Sequence, residues 1–191
     1  MNICDAVELI SGTPQFRIVE DADSNAPVYR FYSQTDLESD LSGLPSAEKV
    51  PRKQVRTSDA VNTTSVGDVV FSLLSGTAAI VQAEHAGYLL TQNYVTIVPS
   101  ECIDARYLVY LLNETKYIKR QLHRGQQGSV TMKYTLKQLG GLELPQLPHV
   151  ERQGLIGGVY FDQLKLAALR VRASELETNL VLAAIREADR S

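Results

Sequence analysis

The three histidines, His85, His123 and His149, stand in three different segments, and none belongs to an HExxH or HxH array. Cys4 and Cys102 are the only cysteines and lie far apart, which makes neither a disulfide framework nor a zinc cluster. Ser11, Ser72 and Ser75 have no base beside them in sequence, as an activated nucleophile would need. Asp68, Glu84 and Lys133 supply the residue types of a metal nuclease, but their spacing selects nothing. There is no GxGxxG or GxxxxGK[ST] run, and the glycines of 11–14 and 124–129 are too sparse to cradle a pyrophosphate. The expectation is a chain with no catalytic, cofactor or metal site.

Other residues suit contact with a nucleic acid. Phosphate contacts set register, while side chains that reach base edges carry sequence information. Arg52, Lys53 and Arg56, from PRKQVR, and Lys119, Arg120, Arg124 and Lys133 are the phosphate candidates. Gln34, Thr35, Ser75, Thr77, Gln92, Asn93, Gln126 and Gln127 are the base-edge candidates, all in polar stretches. Gln and Asn donate and accept at once, which matches the adenine edge. RGQQGS, 124–129, is the best single site, because its two glycines let the backbone approach a groove.

Charge distribution supports this more than the total does. The formal net charge is -3, with nine acidic and three basic residues in 1–50. Residues 106–137 reverse the sign: Arg106, Lys116, Lys119, Arg120, Arg124, Lys133 and Lys137 face the single acid Glu114. A local positive surface steers a polyanion even on an acidic chain. No apolar run reaches bilayer length and the N-terminus carries no signal-peptide pattern, so a cytoplasmic protein without membrane contact is expected.

The elements that must position these residues read as follows. Residues 27–36 read as a strand leaving into a polar turn, and 38–53 as a loop. Gly67-Asp68 marks a turn into the strand VVFSLL, and 77–82 is a second strand. In 87–99 the triplet Thr91-Gln92-Asn93 interrupts an apolar run and marks a turn, a bulge or a reading surface. Residues 104–123 read as one helix capped by Asp104, 134–139 as a turn or two of helix, and Leu142, Leu144 and Leu147 as a last strand.

From Glu151 to Arg190 there is no Pro, the last Gly is Gly158, and helix formers dominate. Val159, Leu166, Ala173 and Leu180 fall on heptad a; Leu169, Leu176 and Ala183 fall on d, where only Asp162 breaks the seam. Forty helical residues span about 60 Å. Such a rod, with an apolar edge, calls for a partner helix unless it folds back on its own domain. The fold class is therefore α+β: a mixed α/β domain with a β-rich core over 1–149, then one long coiled-coil-forming helix over 150–191.

Four stretches resemble the DNA-specificity subunit of type I restriction-modification systems, in a short form with one target-recognition domain. They are SGTP at 11–14 with YRFYSQTDL at 29–37; GDVVFS at 67–72; LLTQNYVTIVP at 89–99 with IDARYLVYLLN at 103–113; and GSVTMKYTLKQLGGLELPQLPHVERQGLI at 128–156. The family's P-x-x-E-Q pattern stands here as PHVERQ, with one extra residue. The resemblance implies a non-catalytic DNA-reading domain and a helix that docks adenine DNA methyltransferase subunits, with a restriction subunit joining through that complex.

The family's usual plan has two recognition domains and two helices and reads a split target. Here there is one of each, so two copies pair through antiparallel helices or the chain is half of a divided subunit; the rod favours a homodimer. The alternative is a self-contained dimeric DNA-binding regulator or architectural protein. An antitoxin-like scaffold and a small nuclease are further rivals.

Overall fold

The structure is a computed structural model that describes residues 1–45, 53–124 and 133–190. A four-stranded antiparallel sheet has the order β1 (Val7–Ser11), β6 (Tyr94–Pro99), β4 (Val69–Ser72), β5 (Ala78–Ile80). Every residue of β4 is buried, which explains its unbroken apolar run: both faces of the sheet are covered. Val69 and Phe71 point with Val95 and Ile97 to one core, built with Leu108, Leu111, Leu112, Ile118 and Leu122. Val70 points the other way, joining Ala79, Val81, Tyr32, Leu37 and Tyr94. The period of two along the strand thus assigns neighbouring side chains to different layers. A second antiparallel sheet pairs β2 (Val28–Arg30) with β3 (Gln54–Arg56).

Helices α2 (Ala105–Glu114) and α3 (Lys116–Arg124) cover the first face. Asp104 caps α2, its side chain accepting the Tyr107 N–H at 3.0 Å. The single helix expected over 104–123 is broken at Thr115, whose ψ of 123° is extended and whose hydroxyl donates to the Leu111 carbonyl. α1 (Gln34–Ser42) occupies residues expected as turn and loop. Its signal is a capping box: Asp36 N–H donates to the Ser33 hydroxyl while the Ser33 N–H donates to Asp36. β1 lies in the polar start of the chain, where the sequence announces no strand, and 142–147 form no strand. Only Asn2 and Glu143 bridge there, and Leu144 N–H donates to Met1. The short helix α4 (Leu136–Gly140) follows expectation.

α5 runs from Val150 to Ala188. Its root lies on α2 through a buried amide: Gln153 Nε2 donates to the carbonyls of Cys102 and Pro148. At Gly157 the two helices approach so closely that a Cβ would stand 2.6 Å from the Tyr107 nitrogen. Tyr160, Phe161 and Leu164 continue this inner face, and Ala168 and Val171 line an open groove with Thr35 and Ser39 of α1. The helix therefore lies on its own domain only through its first half, to about Ala168. Every helix residue from Leu169 to Ala188 is exposed, and the heptad edge stays open, with Val159 70% exposed, Leu169 44% and Leu176 60%. With helices, antiparallel sheets and one long terminal helix, the fold is α+β. No described helix is long and apolar enough to cross a membrane.

Candidate nucleic-acid interface

One end of the main sheet gathers much of the polar chemistry. β4 leaves the sheet at Ser72 and returns at Ala78 through a tight turn. The Ser72 N–H donates to the Thr77 carbonyl, and the Ser72 hydroxyl accepts from the N–H groups of Leu74 and Ser75. Ser75 is left exposed on that turn and Thr77 half-buried. Gly76 has φ +69°, and a Cβ there would lie 2.4 Å from the Tyr134 ring, so the turn accommodates only glycine comfortably.

A second turn abuts the first. Thr91, Gln92 and Asn93 reverse the chain into β6, with the Leu73 N–H donating to the Asn93 carbonyl. Gln92 is exposed. Lys133 Nζ donates to Asn93 Oδ1 at 2.6 Å, so the Asn93 carboxamide oxygen already holds a cation. The Tyr134 N–H donates to the Leu73 carbonyl, tying the chain after Lys133 to the same turn.

α3 supplies the positive face. Ile118 and Leu122 are buried, which turns Lys116, Lys119, Arg120, His123 and Arg124 outward with no acid on the helix. Among the described residues no ion pair engages these cations. The helix is anchored by Gln121, whose amide donates to the Glu143 carbonyl and accepts the Glu143 N–H at 2.8 Å. Lys119, His123, Ser75, Thr77 and Tyr134 line one groove of about 520 Å³. Arg124 and Lys133 flank segment 125–132; Gln126 and Gln127 fall in it and, like Arg52, lie outside the described residues.

The remaining candidates lie elsewhere. Gln34 and Thr35 open α1; Gln34 Nε2 donates to Glu38, and Thr35 lines the groove between α1 and α5. Arg56 is committed to the fold, its guanidinium donating to the carbonyls of Ser24 and Ala26. Both bonds come from Nη1 and fix where the guanidinium of this phosphate candidate stands. Lys53 lies over the Phe31 ring at 5.2 Å and is exposed. Arg106, part of the basic run, lies beside Asp104 at the root of α5, away from the turn cluster. Two members of the basic face, His123 and Lys116, are absent from the sequence-based candidates, although the period of α3 could have supplied them.

The nuclease grouping does not assemble. Asp68 precedes β4, where it accepts the Ser65 N–H, and Lys133 sits beside the turn at the strand's far end. Four residues of strand separate them by about 13 Å. Among the described residues no three His, Cys, Asp or Glu are grouped to hold a metal ion.

A buried polar cluster joins residues that the sequence leaves far apart. His85 Nδ1 lies 2.7 Å from Asp40 Oδ1 and His85 Nε2 lies 3.3 Å from Asp36 Oδ1. Tyr32 donates to Asp40 Oδ2 at 2.8 Å, and the Gln82 N–H donates to Oδ1. Burial, then the Asp40 charge, raises the Tyr32 phenol far above its ordinary range, keeping it a donor. His85, Asp36 and Asp40 are at most 2% exposed, so this network fastens α1 to the sheet and offers nothing to a ligand.

No known family profile matches the sequence, and no curated protein does. Solved structures do. The HsdS subunit from Thermoanaerobacter tengcongensis aligns over 91% of this chain and 39% of its own, at 15% identity and TM-score 0.57. A structure described for complex assembly and conformational transition of the type I R-M system aligns over 98% of this chain and 43% of its own, at 19% identity and TM-score 0.59. This chain thus has the fold of type I restriction-modification specificity subunits, and it spans about two fifths of the length of the subunits it matches.

Proposed function

We propose that the chain is a non-catalytic DNA-reading subunit of a type I restriction-modification complex. It would direct adenine methyltransferase subunits, and through them a restriction subunit, to a split target. The observation that carries this reading is the extent of the fold match: nearly the whole chain aligns, onto less than half of each neighbour. One domain plus one long helix is half of the family's usual plan of two recognition domains and two helices. The cations of α3 beside the two polar turns add a surface suited to phosphate and base edges. The open heptad edge of α5 supports pairing of two copies, each reading one half-site.

An acidic chain with one basic face should bind duplex weakly alone and release it steeply with salt. The test compares affinity for a pool of random duplexes at about 50 and 200 mM salt, with and without methyltransferase subunits of a type I system. Tighter binding in the complex, weakened by Arg124→Ala, is expected. Tight sequence-specific binding by the isolated chain, unchanged by the methyltransferase, would favour a self-contained regulator instead.

A further inference from the structure

Phe16 is 79% exposed, more than any other large apolar side chain among the described residues. It sits in a single 3₁₀ turn, Gln15–Arg17, directly after Pro14. The turn is held on both sides. Before it, the Thr13 N–H donates to the Leu90 carbonyl, the Gln92 N–H donates to the Thr13 carbonyl, and the Asn62 N–H donates to the Thr13 hydroxyl. After it, the Val19 N–H donates to Asp59 at 2.8 Å. The ring is thus presented to solvent by an anchored backbone.

Its surroundings are cationic and aromatic. The Arg17 guanidinium lies 5.7 Å from the Phe16 ring centre, and Lys53 Nζ lies 5.2 Å from that of Phe31. Phe16, Phe31, Lys53 and Gln54 line one open groove of about 400 Å³, with Glu20 as its one acid. The turn also continues the interface already described, because Thr13 is bonded to Gln92 of the polar triplet.

A rigid apolar side chain flanked by two cations suits a polyanion with apolar steps between its charges. Side chains of this type press between base steps or against sugars, while Arg and Lys take the adjoining phosphates. We propose that the Gln15–Arg17 turn is a further duplex-DNA contact, with Phe16 as an apolar wedge and Arg17 and Lys53 on the flanking phosphates. This rests on the reading of the chain as a DNA reader and adds to the phosphate candidate Lys53 an apolar contact, Phe16, that no count of basic residues would find.

The chain contains no tryptophan, so Phe16→Trp places a single indole fluorophore at the contact. Val66→Trp, in the turn before the opposite end of β4, is the control; Val66 is 64% exposed. The full-length variants are titrated at low salt with a pool of random duplexes, and labelled-duplex anisotropy is followed for wild type and Phe16→Ala, alone and with the methyltransferase. Duplex should quench the indole of the Phe16→Trp variant and not that of the Val66→Trp variant. A folded Phe16→Ala protein should bind about tenfold more weakly. Duplex binding that leaves the Phe16→Trp emission and the Phe16→Ala affinity unchanged would overturn the wedge and leave the DNA reading intact. Emission from the Phe16→Trp variant that responds to the methyltransferase and not to duplex would overturn it in favour of a protein contact. Absence of duplex binding by the wild-type chain, alone and in complex, would overturn the DNA reading and the wedge together.

Discussion

The backbone N–H of Asp104 donates to the carboxamide oxygen of Gln153 at 2.9 Å, across 49 residues of sequence. One side chain thereby serves the cap of α2 and the root of α5, because its nitrogen also donates to Cys102 and Pro148. Gln153 is 1% exposed, so its removal leaves three backbone groups without a partner. Gln153→Ala should cost about 3 kcal/mol in chemical denaturation. Hydrogen exchange should quicken at residues 102–104 and 150–157 before it does in β4. A loss confined to the free end of α5 would mean that the root is held by the Gly157 approach alone.

Asp40 is fully buried and accepts from Tyr32 and from the Gln82 backbone while facing the His85 ring. Asp40→Ala leaves His85 and Tyr32 stranded in the core, which should destabilise the domain by about 3–5 kcal/mol. Asp40→Asn keeps the volume and should cost less. Thermal melts of the two variants check the order, and an Asp40→Ala protein as stable as wild type would show that the cluster closes without its centre.

The legible parts of this chain are those whose signal is local. β4, the Asp104 cap and the long terminal helix each follow from a run of residues and its period. The Tyr32–Asp40–His85 network is not legible, because its members lie up to 53 residues apart and each alone reads as a surface polar residue. The α1 capping box is local and readable, yet the aromatic run before it suggests a strand. At the candidate interface, sequence picks out the turn residues and the α3 cations but cannot tell Arg56, held by two backbone carbonyls, from Lys119, which meets solvent. It passes over Phe16 because an exposed ring and a buried one look alike in a sequence.

Alkaline pH should loosen the α2–α5 contact. Tyr160 is pushed up to about 12, first by burial and also by the Glu114 carboxylate, against a hydrogen bond from Asn113. Tyr94 is pushed up to about 12 by burial and by Asp36 and Glu38. The folded state then holds protons that the unfolded chain releases near pH 10, so this stability is whole below pH 10 and is lost as pH rises through about 12. Denaturation midpoints at pH 9 and pH 11 should differ in that direction, and Tyr160→Phe should flatten the difference. Absorbance at the phenolate band should show these two tyrosines titrating late; early titration of all nine would contradict their burial.

The open edge of α5 predicts a register as well as a pairing. Parallel pairing would set Asp162 of one copy against Asp162 of the other in the seam, which buried like charges disfavour. Antiparallel pairing places a against d, and one heptad offset sets Leu169 beside Leu180 and Ala173 beside Leu176, alternating large and small. That offset also brings Arg170 opposite Glu177 twice by symmetry, whereas the two neighbouring offsets put Arg170 against its own copy or Glu177 against its own copy. In a background of Cys4→Ser and Cys102→Ser, Ala173→Cys with Leu176→Cys should oxidise to a covalent dimer, and Leu166→Cys with Leu169→Cys should not. Leu169→Asp with Leu176→Asp should return the chain to a folded monomer in sedimentation, since both positions are about half exposed to solvent in the single chain. Equal cross-linking by both cysteine pairs would mean that the helices slide and that the edge fixes no single register.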